Sequence, residues 1–149
     1  MQTKWLVVGT TAVLALISFG LTRVIWPDVP GAPQPPAGLL PFYIVVALVE
    51  SFAFGLGVAF LFFGGRMIST FGQGRGLTFL TYLSIGWLLI NWWPHDNLHR
   101  VVRLDFGRLL WIEYGFHVTL IAAAACVAYF FVTTMRAMQA RTATPVGRA

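Results

Sequence analysis

The sequence predicts an all-α integral membrane protein: a four-transmembrane-helix bundle with a short interfacial helix between the third and fourth spans. Three observations carry that expectation. The 149 residues are 58% hydrophobic and only 10% charged, whereas a soluble domain carries about a quarter charged residues. Mean hydropathy is +0.76. The apolar residues also gather into runs of roughly twenty, the length that crosses a bilayer. No length is left for a second domain, so residues 1–149 read as one membrane unit.

The first span covers about residues 5–25, opened by Lys4 and Trp5 and followed by Trp26. Tryptophan favours the membrane–water boundary, so both rings read as anchors. No small-residue cleavage site precedes Arg23, which argues for a retained helix and against a signal peptide. Residues 26–40 hold prolines at 27, 30, 33, 35 and 36. Proline fixes φ and removes a backbone donor, so an extended external loop is expected there. The second span, 41–63, starts on Pro41, which suits a first helical turn. It carries Glu50 and two offset series of small residues, Ser51/Gly55/Ala59 and Ala53/Gly57. That spacing lets neighbouring helices approach closely, so Glu50 is expected to face protein.

Residues 64–76 form a Gly-rich turn. Gly72, Gly74 and Gly76 alternate in it, but no GK[ST] follows, so a phosphate-binding loop is not indicated. The third span, 77–93, ends on Trp92 and Trp93. Pro94 is placed to open a new helix with Asp96 in its first turn. Residues 94–107 are therefore expected as the interfacial helix, with His95, Leu98, His99, Val102 and Phe106 on its inward face. The fourth span, 109–135, carries Glu113 and His117 in its first two turns. Residues 139–149 are polar, include Pro145 and Gly147, and are expected to be disordered. Cys126 is the single cysteine, which excludes an intrachain disulfide and a CxxC motif and leaves a small packing residue.

The net charge of +5 is not a nucleic-acid signature, because the basic residues form no continuous face and no binding motif. Four spans place both termini on one side, with Lys4, Arg66, Arg75, Arg136, Arg141 and Arg148. The other side holds Arg23, Arg100, Arg103 and Arg108. The positive-inside rule then favours cytoplasmic termini, in a bacterial inner membrane. All five acids fall in the outward half.

That half also contains all three histidines, in the pairs His95/His99 and Glu113/His117. Residues four apart stack on one helical face. Charged and titratable groups are costly in such apolar surroundings, so their clustering points to a site. Neutral imidazoles and a carboxylate suit zinc, copper or iron, and His95, His99, Glu113 and His117 are the expected ligands of one ion. Asp96, Asp105 and Asn91 are candidates for orienting those ligands. HEXXH is absent, and Glu113/His117 departs from the Glu-x-x-His spacing of di-iron bundles. Haem is not expected, since only His117 lies plainly within a span. A metal-free reading makes Glu50 and Glu113 acid–base groups acting on a lipid-soluble substrate or passing a proton. A structural reading pairs Glu113 with Arg103 or Arg108, and Glu50 with Asn91 or a histidine. The chain would then serve as an accessory subunit beside other membrane subunits, or as a homo-oligomer. The pattern marks a place and leaves the reaction open.

Overall fold

The computed structural model describes residues 2–31 and 33–143, and every regular element among them is helical. In chain order these are α1 (Gln2–Ile25), α2 (Leu40–Phe63), the short α3 (Gly65–Ser69), α4 (Arg75–Ile90), α5 (Trp92–Val102) and α6 (Phe106–Glu113). A π-helical turn (Tyr114–Val118) then leads into α7 (Thr119–Ala143). Three stretches are long and apolar enough to cross a membrane: Lys4–Ile25, Leu40–Phe63 and Phe106–Thr142. They expose Leu16, Val24, Phe42, Phe62 and Ile121, side chains that lipid tails solvate as well as a protein interior does. α4 has 16 residues. At 1.5 Å per residue it measures about 24 Å, short of a ~30 Å hydrocarbon layer.

The helices pack as an open antiparallel row, α1–α2–α4–α7, and α1 and α7 share no comparable seam. The sequence led to a four-helix bundle without saying which helices touch, and α2 supplies the reason for this order. Gly55 and Gly57 are two residues apart, about 200° around a helix, so they open close-packing surfaces on opposite flanks. Gly55 rests on α1 so tightly that an added Cβ would lie 2.5 Å from the Thr11 carbonyl oxygen. Gly57 rests on Leu89 and Ile90 of α4, while Gly86 of α4 receives Leu61. The Tyr82 hydroxyl donates to the Leu61 carbonyl across the same seam. Between α4 and α7, Gln73 donates to the Thr134 hydroxyl at 3.1 Å and Thr81 meets the half-buried Cys126 at 3.9 Å.

Several boundaries shift from the sequence reading. The third helix ends at Ile90, and Trp92 and Trp93 belong to α5. Two local effects place the break. Pro94 has no N–H to return to the carbonyl of Ile90, and the Asn91 side-chain amide adds a bond of 2.6 Å to the Trp87 carbonyl beside that of its own backbone N–H. The fourth helix begins at Phe106 because Asp105 caps it, accepting from the Arg108 backbone N–H at 3.1 Å. α7 runs to Ala143, into the segment expected as a tail, and residues 144–149 lie outside the described ones.

The proline-rich loop is strapped down at the end of the row that carries α5. Asp28 pairs with Arg23 and, at 2.9 Å, with Arg100. Arg103 donates to the Val29 carbonyl at 3.1 Å. Arg103 itself has φ 53°, a left-handed conformation that costs a side-chain-bearing residue energy and ends α5 abruptly.

Candidate functional site

The site is built on α5, which presents two stripes about 160° apart: Trp93/Asn97 on one side and His95/His99 on the other. Trp93 and Asn97 are buried. The Trp93 indole donates to the Thr22 hydroxyl at 3.0 Å, meets Trp26 edge-on with centroids 4.5 Å apart, and lies 4.7 Å from the Phe54 ring. These contacts clamp α5 to α1 and α2. They also turn the histidine stripe toward the helix that follows.

On that side Glu113 stands between two imidazoles. Its Oε2 lies 2.5 Å from His117 Nδ1, and its Oε1 lies 3.5 Å from His99 Nε2. His99 Nε2 is in turn 2.9 Å from His95 Nε2. The His95 ring closes the group, 5.0 Å from the His117 ring. Three imidazoles and one carboxylate from two separate segments thus form one cluster. It is partly open to its surroundings, with side-chain exposures of 31% for His99, 40% for Glu113 and 48% for His117.

The π-helical turn contributes to this geometry. Its wider turn brings residues four apart toward the same azimuth, which suits the Glu113–His117 contact, and such insertions recur at functional sites. A π segment leaves backbone carbonyls poorly served by the α pattern. Here the Thr119 hydroxyl donates to the Gly115 carbonyl at 2.6 Å or the Phe116 carbonyl at 3.0 Å, and accepts from the Trp87 indole at 3.0 Å. Phe116 stacks on Trp87 with centroids 5.8 Å apart and touches His95 at 5.0 Å. Trp87, Phe116 and Thr119 therefore wall and brace the cluster. Sequence reading passed over them, although Phe116 adjoins His117 and Trp87 lies one helical turn before Asn91.

Burial pushes the His95 imidazole below the usual histidine range. The neighbouring His99 and His117 push the same way, against the pull of Glu113 and Asp96. These influences favour the neutral imidazole, in which one ring nitrogen can accept.

Other expected members fall elsewhere. Glu50 makes no hydrogen bond or ion pair with a described residue, and the charged group that faces it is Asp96. It stands outside the histidine cluster because α2 meets α5 from the Trp93 side. Asp96 is exposed and hydrogen-bonds no histidine. Asp105 is spent on its helix cap and on Arg108, 3.3 Å away. Asn91 is fully buried and bound to Trp87, with its carbonyl oxygen unpartnered among the described residues. The structural pairings of Glu113 with Arg103 or Arg108, and of Glu50 with Asn91 or a histidine, do not occur.

Among the described residues, no group of three or more His, Cys, Asp or Glu side chains stands arranged to hold a metal ion. The contacts give a physical reason: these groups hydrogen-bond one another, and His117 turns Nδ1 to the carboxylate. Comparison with family models, with curated proteins and with solved structures returned no match, so the geometry alone bears on function.

Proposed function

We propose that this chain is a small polytopic membrane protein that binds one transition-metal ion, zinc, copper or iron, through His95, His99, Glu113 and His117. The observation that carries the reading is the spacing of the donor atoms. His95 Nε2, His99 Nε2 and Glu113 Oε1 follow one another at 2.9 and 3.5 Å. The edge of a tetrahedron with bonds of 2.0–2.1 Å is about 3.3 Å. Both separations lie within about 0.4 Å of that edge. Drawing His95 Nε2 and Glu113 Oε1 to the same separation, with a turn of the His117 ring, would let the four donors close on an ion.

In this reading α4 and residues 91–93 together complete a fourth span, and the rest of α5 lies along the membrane surface. Its content of His, Asp, Asn and Arg suits headgroup depth. The basic residues at the end with the termini favour a cytoplasmic position for that end, in a plasma membrane, with the cluster on the outer side.

Elemental analysis of protein purified in mild detergent tests the proposal. About one ion per chain is expected in the wild type, and less than roughly a tenth of that in His95→Ala/His117→Ala. Equal, substoichiometric metal in both samples would remove the reading. It would favour a second one, a metal-free proton relay, motivated by the succession His95, His99, Glu113 and His117 at 2.9, 3.5 and 2.5 Å.

A further inference from the structure

At the opposite end of the row, α3 and the start of α4 border an open cleft of about 530 Å³, lined by Gly65, Ser69, Arg75, Thr78, Phe79 and Tyr82. That volume is in the range that accepts a small ligand. The walls are mixed: a cation and hydroxyls toward the loop, aromatic rings along the helix. Most of the polar lining is already engaged. The Ser69 hydroxyl donates to the Arg66 carbonyl, Thr78 to the Gln73 carbonyl, and Tyr82 to Leu61. Gln73, at the rim, is tied to Thr134. Arg75 is the exception, since its guanidinium makes no hydrogen bond or ion pair with any described residue.

The electrostatic setting matches. Every charged side chain described at this end is basic: Lys4, Arg66, Arg75, Arg136 and Arg141. α4 begins beside the cleft with no side-chain cap and no acid in its first turn, so its first N–H groups also face outward without a protein acceptor. A free guanidinium, positive helix end and apolar wall together specify a ligand that is anionic at one end and hydrocarbon at the other.

We propose that this cleft holds the phosphodiester headgroup of an anionic phospholipid, with Arg75 on the phosphate and the first acyl methylenes along Phe79 and Tyr82. Basic pockets between membrane helices bind such headgroups by the same chemistry, and the fork of arginine fits phosphate oxygens in pairs. The site is independent of the histidine cluster, which lies at the other end of the row.

Native mass spectrometry in mild detergent, with phosphatidylglycerol or phosphatidylcholine titrated in, gives the test. The full-length chain is expected to retain phosphatidylglycerol preferentially. Arg75→Gln should weaken that binding roughly tenfold, the loss of a bidentate charged contact. Gly65→Leu should weaken it comparably by filling the cleft, because only Tyr82 stands near, 3.8 Å from an added Cβ. Arg66→Gln, which removes a charge outside the cleft, should change it less than about twofold. Inorganic phosphate at equal concentration should not displace the lipid. Equal losses from Arg66→Gln and Arg75→Gln would reduce the effect to diffuse attraction and overturn the site. Displacement by inorganic phosphate would overturn the lipid assignment.

Discussion

Gly55→Ala is the sharpest probe of how the row is held. The added methyl would stand 2.5 Å from the Thr11 carbonyl oxygen and 2.8 Å from the Ala15 nitrogen. Both are backbone atoms of α1, so no rotamer change relieves the overlap. α1 must back away by about 0.9 Å to restore ordinary contact, and a gap of that size forfeits a quarter to a half of each neighbouring dispersion contact. Overpacking of this kind costs ~1–3 kcal/mol, partly offset by the ~0.5–1 kcal/mol that alanine gains over glycine in a helix. The net expectation is a loss of about 0–2.5 kcal/mol, against the gain expected of the control. Gly20→Ala is the control, because nothing lies within 4 Å of its added Cβ, and it should gain ~0.5–1 kcal/mol. Helicity followed through a denaturing-detergent titration measures both. α1 also carries Thr22, the acceptor for Trp93, so Gly55→Ala should loosen α5 and weaken metal binding in parallel. If Gly55→Ala proved as stable as Gly20→Ala, the α1–α2 seam described above would be wrong.

Two further outcomes concern the cluster. Glu113→Gln keeps the shape and removes the charge from both imidazole contacts. Metal affinity should fall at least tenfold by competition titration, while stability changes by less than about 1 kcal/mol, since the group is 40% exposed and solvent screens it. The metal-free protein should also become less stable in acid. His95 has a folded pKa below its ordinary 6.5, so below that value the unfolded chain binds more protons than the folded one. Stability is then complete above pH 6.5 and declines as pH falls through it. Unfolding at pH 7.5 and 5.5, set beside His95→Gln, tests the sign: the wild type should lose more on acidification than the variant.

Much of this architecture is legible in residue spacing. The small residues of the second span announced a close helix approach, and Gly55 and Gly57 supply it, on opposite flanks that the spacing alone did not assign. The His95/His99 and Glu113/His117 pairs announced a meeting of two segments, and the contacts of Glu113 supply that. What the spacing hid depends on competition among local partners. The helix breaks at Asn91 and not after Trp93, because Pro94 has no N–H for the Ile90 carbonyl one turn earlier. Asp105 resembles a ligand-orienting carboxylate by composition, yet the nearby Arg108 N–H claims it as a cap. Glu50 lies at a compatible depth but on the Trp93 side of α5. Depth along a helix is readable from sequence, whereas azimuth across a seam requires the packing. The π-helical turn left no compositional mark. Helix-face arithmetic at 3.6 residues per turn therefore missed the support that Phe116 and Thr119 give the cluster. The open row was hidden too, because apolar span length carries no information about which helices touch.

The most direct measurement is X-ray absorption at the edge of whichever metal the purified protein retains. Nitrogen and oxygen neighbours at about 2.0–2.2 Å, with the outer-shell scattering of at least two imidazole rings, are the expected signature of His95, His99 and Glu113 around one ion. A first shell containing sulfur, or one without imidazole scattering, would contradict it.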